Sequence, residues 1–286
     1  MKVMASTMKT DKPFAEWIGR TSVSEDAVTE RLNESYKAIF DTYLAPVPDG
    51  VAPLGIHWCL SPAIATMSQL GEDGHPAKNM SLPPVPLPRR MWAGGELEIL
   101  DPLQIGDKVR RTSTIQDVVR KDGRTGDLWF VTLGHVYETE RGPAVRERQD
   151  LVYREAAKPG AKVAIPSAAP ESEPAAASRT IETSPTLLFR YSALTFNGHR
   201  IHYDLPYATG VEGYDGLVVH GPIQATLLLN LAATSESASL GRFSYRGLSP
   251  AIAGNRLAIC RGSGEKSNQY WTESGEGVRH MQASTS

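Results

Sequence analysis

The sequence predicts an α+β fold built twice on one plan, a helix against an antiparallel sheet, with a shorter second copy. Three observations predict it. Strand-like segments separated by turn signals fill residues 91–153 and return after residue 240, and a spaced set of residues recurs in the two halves. Between the halves lies AAKPGAKVAIPSAAPESEPAAASRT, rich in Ala, Pro and Ser and poor in large apolar side chains, which reads as a linker. The 286 residues suffice for two ordinary domains, so the boundaries expected are 1–155, a linker over 156–180, and 181–286.

Taken in order, Ser22-x-x-Glu25 has capping-box spacing and predicts a helix starting there. Val28, Leu32, Tyr36, Ile39 and Phe40 would form its buried stripe. From Ala45 to Pro88 the chain is rich in Pro and Gly and reads as irregular, including GIHWCLSP around His57. ELEIL, DKVRRTSTIQDVV, DLWFVTLGHVYETE and AVRERQDLVY then read as strands of a meander, broken at Asp101-Pro102, Lys121-Asp122-Gly123 and Arg141-Gly142-Pro143. After the linker the same order returns: LLFRYSALTF as a strand, an irregular segment, PIQATLLLNLAAT as a helix, and RFSYRGL, NRLAICRGS, NQYWTES and VRHMQAS as strands.

Spacing tests the duplication more sharply than pattern does. Tyr137-x-Thr139-Glu140-x-Gly142-x-x-Val145-Arg146-x-x-Gln149 reappears as Tyr270-x-Thr272-Glu273-x-Gly275-x-x-Val278-Arg279-x-x-Gln282 with every interval kept. Pro102-x-x-x-Gly106 reappears as Pro250-x-x-x-Gly254. The two offsets differ by 15 residues, as a shorter strand-loop-strand in the second copy would require. Two such sheets joined edge to edge would protect two edges.

The totals exclude several classes. Thirty Lys plus Arg against 32 Asp plus Glu give a net charge of -2, which attracts neither nucleic acid nor an anionic membrane. No apolar run reaches the roughly 18 residues of a membrane span. The start, MKVMASTMKTDKPFAEW, has no secretory apolar run and lacks arginines, which disfavours a mitochondrial leader. Cys59 and Cys260 fit no zinc spacing, so a reduced cytoplasmic protein is expected.

Chemistry concentrates between residues 189 and 229, where three of the seven histidines (His199, His202, His220) flank an apolar helix. Ile223, Leu227, Leu228, Leu229 and Leu231 surround nearly the whole cylinder, so this helix is expected inside the sheet. Pro222 suits a helix start, and Gly221 lets another group approach backbone amides that no helical carbonyl accepts. His57, His75, His135 and His280 stand alone in sequence and read as structural or exposed. His199-x-x-His202 lacks a carboxylate or cysteine at supporting spacing, so no metal is expected. Gly262-Ser-Gly-Glu-Lys-Ser267 has the wrong order for a phosphate loop and reads as a hairpin.

Asn197-Gly-His-Arg-Ile-His202-Tyr-Asp, followed by His220-Gly221 at a helix start, resembles the signature of the MaoC-like, hydratase-2 branch of hotdog enzymes, which act on acyl thioesters. YSALTFNGHRIHYD with EGYDGLVVHGP is similar to the double-hotdog group that includes mitochondrial 3-hydroxyacyl-thioester dehydratases and bacterial mesaconyl-C4-CoA and itaconyl-CoA hydratases, and Trp17-Ile-Gly-Arg-Thr resembles its N-terminal half. The resemblance implies a double hotdog, two antiparallel sheets each wrapped around a central helix, with one active site per chain in the second half. It implies a hydro-lyase acting on an acyl-CoA or acyl-carrier-protein thioester, without a further cofactor; a homodimer is compatible with it.

In that branch an acid stands five residues before the histidine, whereas this chain has Asn197, whose amide exchanges no proton at neutral pH. His202 must then carry most of the acid/base work, with Asn197 holding water or hydroxyl and the Gly221 amide stabilising the oxyanion. His199 is the next candidate, and Asp204 could orient a histidine. Tyr203 and His220 belong to the same stretch and are expected to contact substrate. Arg200, Arg242 and Arg246 flank it, and one of them would pair with a distal carboxylate of the acyl group. A hotdog thioesterase is the rival enzyme, disfavoured by the missing carboxylate, and a non-catalytic thioester binder is the rival outside catalysis.

Overall fold

A computed structural model describes residues 13–78, 80–123, 126–156, 163, 175–235, 240–275 and 277–286. Its strands are β1 (Thr21–Ala27), β2 (Arg89–Ile99), β3 (Lys108–Gly123), β4 (Gly126–Thr139), β5 (Gly142–Arg154), β6 (Ala177–Glu182), β7 (Arg242–Gly247), β8 (Arg256–Arg261), β9 (Gln269–Ser274) and β10 (Arg279–Thr285). They form one antiparallel sheet in the order β1-β3-β4-β5-β2-β7-β10-β9-β8-β6. Outward from the β2–β7 seam, each half uses its second, fifth, fourth, third and first strand, so the duplication read from spacing is present in the topology. The repeated Tyr-to-Gln motif spans β4–β5 in one half and β9–β10 in the other. Gly106 and Gly254, at φ 95° and 92°, turn the chain into β3 and β8. The two expected sheets are thus fused edge to edge, Gly94 pairing with Arg246 and Glu98 with Arg242 across the seam.

Among the described residues there are four α-helices: α1 (Glu30–Phe40), α2 (Pro185–Thr195), α3 (Leu205–Gly210) and α4 (Gly221–Ser235). α4 packs on β7, β8, β9 and β10, and Ile223, Leu227, Leu228 and Leu229 are almost wholly buried. Each such side chain stabilises the fold by roughly 1.5–3 kcal/mol relative to exposure. Its polar positions are paired rather than exposed. Thr272 Oγ1 donates to Gln224 Oε1 at 2.6 Å, and Asn230 Nδ2 donates to Leu54 O at 3.2 Å while its Oδ1 accepts from Ala45 N at 3.0 Å. The first half therefore grips the second half's helix through its own backbone, at Ala45 N and at Leu54 O, which also accepts from Tyr36 OH. Between α1 and β2, where the second half has α4, the first half has only short 3-10 turns among the described residues, Asp41–Tyr43, Ile56–Cys59 and Met67–Gln69.

Three local expectations are corrected. Residues 21–27 are not the start of a helix but the edge strand β1, paired with β3 from Thr21↔Thr114 to Ala27↔Lys108, so Glu25 faces Arg110. Seven residues after Ser22, Thr29 caps the helix that starts at Glu30, its side chain accepting from Leu32 N at 3.1 Å. LLFRYSALTF is not a strand but most of α2, capped by Ser184 with Pro185 in the first turn. Its buried Leu188, Tyr191 and Ser192 have i, i+3, i+4 spacing. Of the linker over 156–180, residues 157–162 and 164–174 lie outside the described residues, and 177–180 already belong to β6.

Candidate active site

A cleft of about 1710 Å³ opens between the halves, lined by the 70–78 loop, β2, residues 195–203 and the N-terminus of α4. The 3-10 turn Arg200–His202 points His202 into it. Nδ1 of His202 lies 2.7 Å from Val218 O. A carbonyl only accepts, so Nδ1 carries the proton and Nε2 keeps its lone pair. The ring stacks on His220, with centroids 3.5 Å apart and planes at 15°. Nε2 of His220 lies 2.9 Å from Ser192 Oγ of α2, and its buried Nδ1 has no hydrogen-bond partner among the described residues. His199 meets His202 edge-on at 5.4 Å, and on its other side its ring is 4.1 Å from His75. Nδ1 of His75 donates to Asp73 Oδ2 at 2.8 Å.

Burial keeps these rings neutral. It pushes His202 down to about 4, assisted by His75, with the Val218 carbonyl opposing. His220 is held well below its ordinary value by burial and then by His202 and His199, and His199 by burial, His75 and His202. His75 is lowered by burial and Arg90 and supported by Asp73. Burial raises the Asp73 carboxyl, but the His75 hydrogen bond and nearby positive charge outweigh it, leaving Asp73 below the usual carboxylate range. Each imidazole is therefore a base at neutral pH.

The other expected residues separate into two groups. Asn197, Gly221, Tyr203 and Arg246 line the cleft with His199 and His202, whereas His220 is wholly buried and reaches the site only by stacking on His202. Asn197 follows the left-handed Phe196 that ends α2, and its Oδ1 accepts from His199 N at 3.0 Å, which fixes the amide. Tyr203 OH donates to Gly198 O at 2.8 Å at the cleft's edge. Arg246 of β7 is exposed there and makes no ion pair among the described residues.

Arg200 is the exception. Its Nε and Nη2 donate to Asp204 Oδ2 at 2.9 and 2.7 Å, its Nη1 to Glu72 O at 3.0 Å, and its guanidinium lies over Tyr207. It straps the 70–78 loop to the residues that follow it instead of facing the cleft. Asp204 is likewise committed, pairing with Arg200 and capping α3 through Tyr207 N at 3.1 Å, so it orients no histidine. Arg200→Met should accordingly leave KM for dicarboxylic and monocarboxylic enoyl-CoA thioesters unchanged to within about twofold, since loss of ground-state binding would raise KM. A selective rise for the dicarboxylic substrate in steady-state kinetics would restore Arg200 as a binding residue.

Sequence reading missed the Asp73–His75 pair, which the first half contributes. Gly74 makes it reachable. Its φ is +84°, and a Cβ there would stand 1.9 Å from Gly198 O, so the two loops touch backbone to backbone. The turn residues of GEDGHP were the available signal. Asp73, His75 and His199 present ligand-type atoms within 4.8 Å of one another. The 2.8 Å Asp73–His75 contact shares a proton, however, and leaves that edge of the ring unavailable to an ion.

The wall opposite Gly221 was missed as well. A Cβ on Gly221 would lie 2.5 Å from Trp92 Cε3. Trp92 stacks on Tyr245 at 4.6 Å, and Tyr245 OH donates to Glu147. Trp58 Nε1 and Tyr137 OH also donate to this buried carboxylate, at 3.0 and 3.4 Å. A fixed aromatic wall thus stands over the free amides at the start of α4. Neutral imidazoles beside unpaired amides can move a proton next to a developing anion.

The family model for hydroxyacyl-thioester dehydratase type 2 matches residues 55–253. A mesaconyl-C(4)-CoA hydratase of Chloroflexus aurantiacus is 44% identical over 82% of this chain and 83% of its own length. A mitochondrial hydroxyacyl-thioester dehydratase type 2 of Schizosaccharomyces pombe is 28% identical over 72% and 76%. Among solved structures, HtdX of Mycobacterium tuberculosis superposes with a TM-score of 0.66 at 17% identity, covering 93% of this chain and 98% of that one. A second Mycobacterium tuberculosis protein, described as a double hotdog, gives a TM-score of 0.54 at 12% identity over 94% and 95%. The cleft and the fused sheet therefore sit on a shared double-hotdog framework, and the chain belongs to the hydroxyacyl-thioester dehydratase type 2 family of MaoC-like hydro-lyases.

Proposed function

We propose that the protein adds water across the double bond of a short α,β-unsaturated acyl-CoA, with mesaconyl-C4-CoA or itaconyl-CoA, giving citramalyl-CoA, as the preferred substrates. The observation that carries the reading is His202, with Nε2 free, in the same cleft as the N-terminus of α4. Water attacks the β-carbon as its proton leaves to an imidazole, and the double-bond pair moves toward the thioester oxygen. The Gly221 amide and the helix dipole stabilise that charge. A proton from His202 then closes the α-carbon. Asn197, held by His199 N, positions the water through its remaining amide donors.

The aromatic wall of Trp92, Tyr245 and Trp58 supports a short acyl group, and Arg246, exposed at the cleft without an ion pair among the described residues, is the cation we assign to a carboxylate at its far end. The similarity to the mesaconyl-C(4)-CoA hydratase favours this over a longer 3-hydroxyacyl-CoA or acyl-carrier-protein substrate. The chemistry as written uses only the chain's own groups. Because one chain holds both halves of the sheet, the site needs no second copy, and a homodimer would be an addition to it. Cytoplasmic residence belongs to the same reading, supported by two free buried cysteines. No helix among the described residues is long and apolar enough to cross a membrane.

Crotonyl-, mesaconyl-C4- and itaconyl-CoA, followed in parallel for loss of enoyl absorbance and for release of free thiol, test the reading. Loss of absorbance without thiol, fastest with a branched dicarboxylic substrate, is expected. Thiol release as the main signal would make the protein a thioesterase.

A further inference from the structure

The site has a proton problem that its second-half residues do not solve. Hydration removes a proton from water and adds one at the α-carbon, and the position five residues before His202 holds an amide. His202 stacks on His220 and meets His199 edge-on, all three are buried and neutral, and no carboxylate among the described residues hydrogen-bonds any of their rings. A proton arriving on this row therefore has no counter-charge in direct contact. The first half brings one. Asp73 accepts from Nδ1 of His75, whose ring lies 4.1 Å from His199 in the cleft. About a fifth of each side chain is exposed, 22% for Asp73 and 18% for His75, so water reaches the pair while the protein around it still strengthens the charge interaction.

We propose that Asp73 and His75 form a second acid/base pair of the site, so that the catalytic centre is built from both halves of the chain. Nδ1–H is held by Asp73, which leaves the Nε2 lone pair of His75 to take the water proton. The carboxylate stabilises the imidazolium formed, the role a buried Asp plays behind a catalytic histidine. As the O–H bond breaks, the water oxygen bonds the β-carbon and the double-bond pair moves to the thioester enolate. The proton passes from His75 Nε2 through water in the cleft to His202 Nε2 and leaves from there to the α-carbon. Every group ends in its starting state, and no oxidant, reductant or ion is consumed.

The arrangement also gives the loop a reason for its construction. Two independent devices hold it in place: the close backbone approach of Gly74 to Gly198, and the Arg200 strap to Glu72 O, with Arg200 N also donating to Asp73 O at 2.9 Å. A loop that merely closed the surface would need neither.

The proposal rests on the hydration reading, and the test separates the two. The charged and titratable groups around His75 are Asp73 and Lys78 of its own loop, Arg90 of β2, Tyr153 of β5, and His199 and His202. Of these only Asp73 is negative. Asp73→Asn keeps size and a hydrogen-bonding end while removing that charge. It should lower kcat on the best enoyl-CoA about a hundredfold to ten-thousandfold, the range for a positioned acid/base group, with KM nearly unchanged. Asp73 supports protonation of His75, so its loss should move the acid limb of the pH profile to lower pH. His75→Ala should lose kcat similarly and regain part of it in added imidazole, a response that a purely structural role would not give. Thermal unfolding of both variants serves as the folding control. The proposal is overturned if both variants keep kcat within about threefold of wild type while His202→Ala is inactive; the hydration reading would then stand alone. A wild type that hydrates none of the thioesters overturns both. Activity lost in a chelator and restored by zinc would assign the pair to an ion instead.

Discussion

His202→Ala should reduce hydration by about a hundredfold to ten-thousandfold in kcat, at the top of the range for one acid/base group. Three effects add in the same direction. The variant loses the ring whose Nδ1–H is fixed on Val218 O, and with it the cleft-facing Nε2 whose lone pair that backbone contact keeps free. It unstacks His220, whose Nδ1 is already without a partner. It also leaves an emptied, partly polar space in which an extra water competes with substrate. His202→Gln separates these effects, because glutamine can still donate to Val218 O and fill much of the volume but cannot carry the proton. The His202→Gln variant should bind an unreactive saturated acyl-CoA about as well as wild type. A His202→Gln enzyme retaining more than about a tenth of wild-type kcat would remove His202 from the proton path. In the wild type the base must be neutral, and His202 is held down to about 4. The part of the rate that depends on His202 should therefore be unaffected from neutral pH to about 5 and fall as pH drops through about 4.

Gly221→Ala should be nearly as damaging, although alanine is the better helix former by about 1 kcal/mol. The added methyl would stand 2.5 Å from Trp92 Cε3. That atom belongs to an indole ring stacked on Tyr245, which is itself tied to buried Glu147, so the neighbour has little room to yield. Overpacking of this kind costs about 1–3 kcal/mol and wins over the propensity gain. The methyl also covers the amides that are to face the thioester oxygen, and losing one such donor costs about a hundredfold to a thousandfold in kcat. Steady-state kinetics with thermal unfolding should show a large loss of kcat beside a modest loss of stability. In a Trp92→Ala background the added methyl of Gly221→Ala should cost little further stability, a coupling readable in a double-mutant cycle. A single Gly221→Ala enzyme with wild-type kcat would mean that the start of α4 plays no part in the chemistry.

Where one physical signal dominated, the sequence was readable. The meander came through because turn residues punctuate it, and α4 because its leucines leave no polar face. β1 and α2 were exchanged because short-range signals misled. Ser22-x-x-Glu25 imitates a capping box, yet those residues pair with β3 along the sheet edge, a partner more than eighty positions away. In α2 the apolar run outweighed Ser184-Pro185, the true helix entry. His202, His199 and His220 could be grouped because they are neighbours in the chain. Asp73 and His75 could not, since only folding carries them more than a hundred residues to the side of His199. Arg200 failed for the reason many surface arginines do: proximity in sequence cannot show that a guanidinium is already engaged, here by Asp204 and Glu72 O.

The seam between β2 and β7 has a further meaning. Two separate chains meeting along such a seam would be identical, and every change to one surface would fall on both. Joined in one polypeptide, the halves are free to diverge. Among the described residues the first has short 3-10 turns where the second has α4, and it places a loop against its sister's histidines. Tethering also keeps the halves at an effective concentration in the millimolar range for a flexible connection. A centre shared between them then assembles as a first-order event within a single molecule, independent of how much enzyme the cell contains.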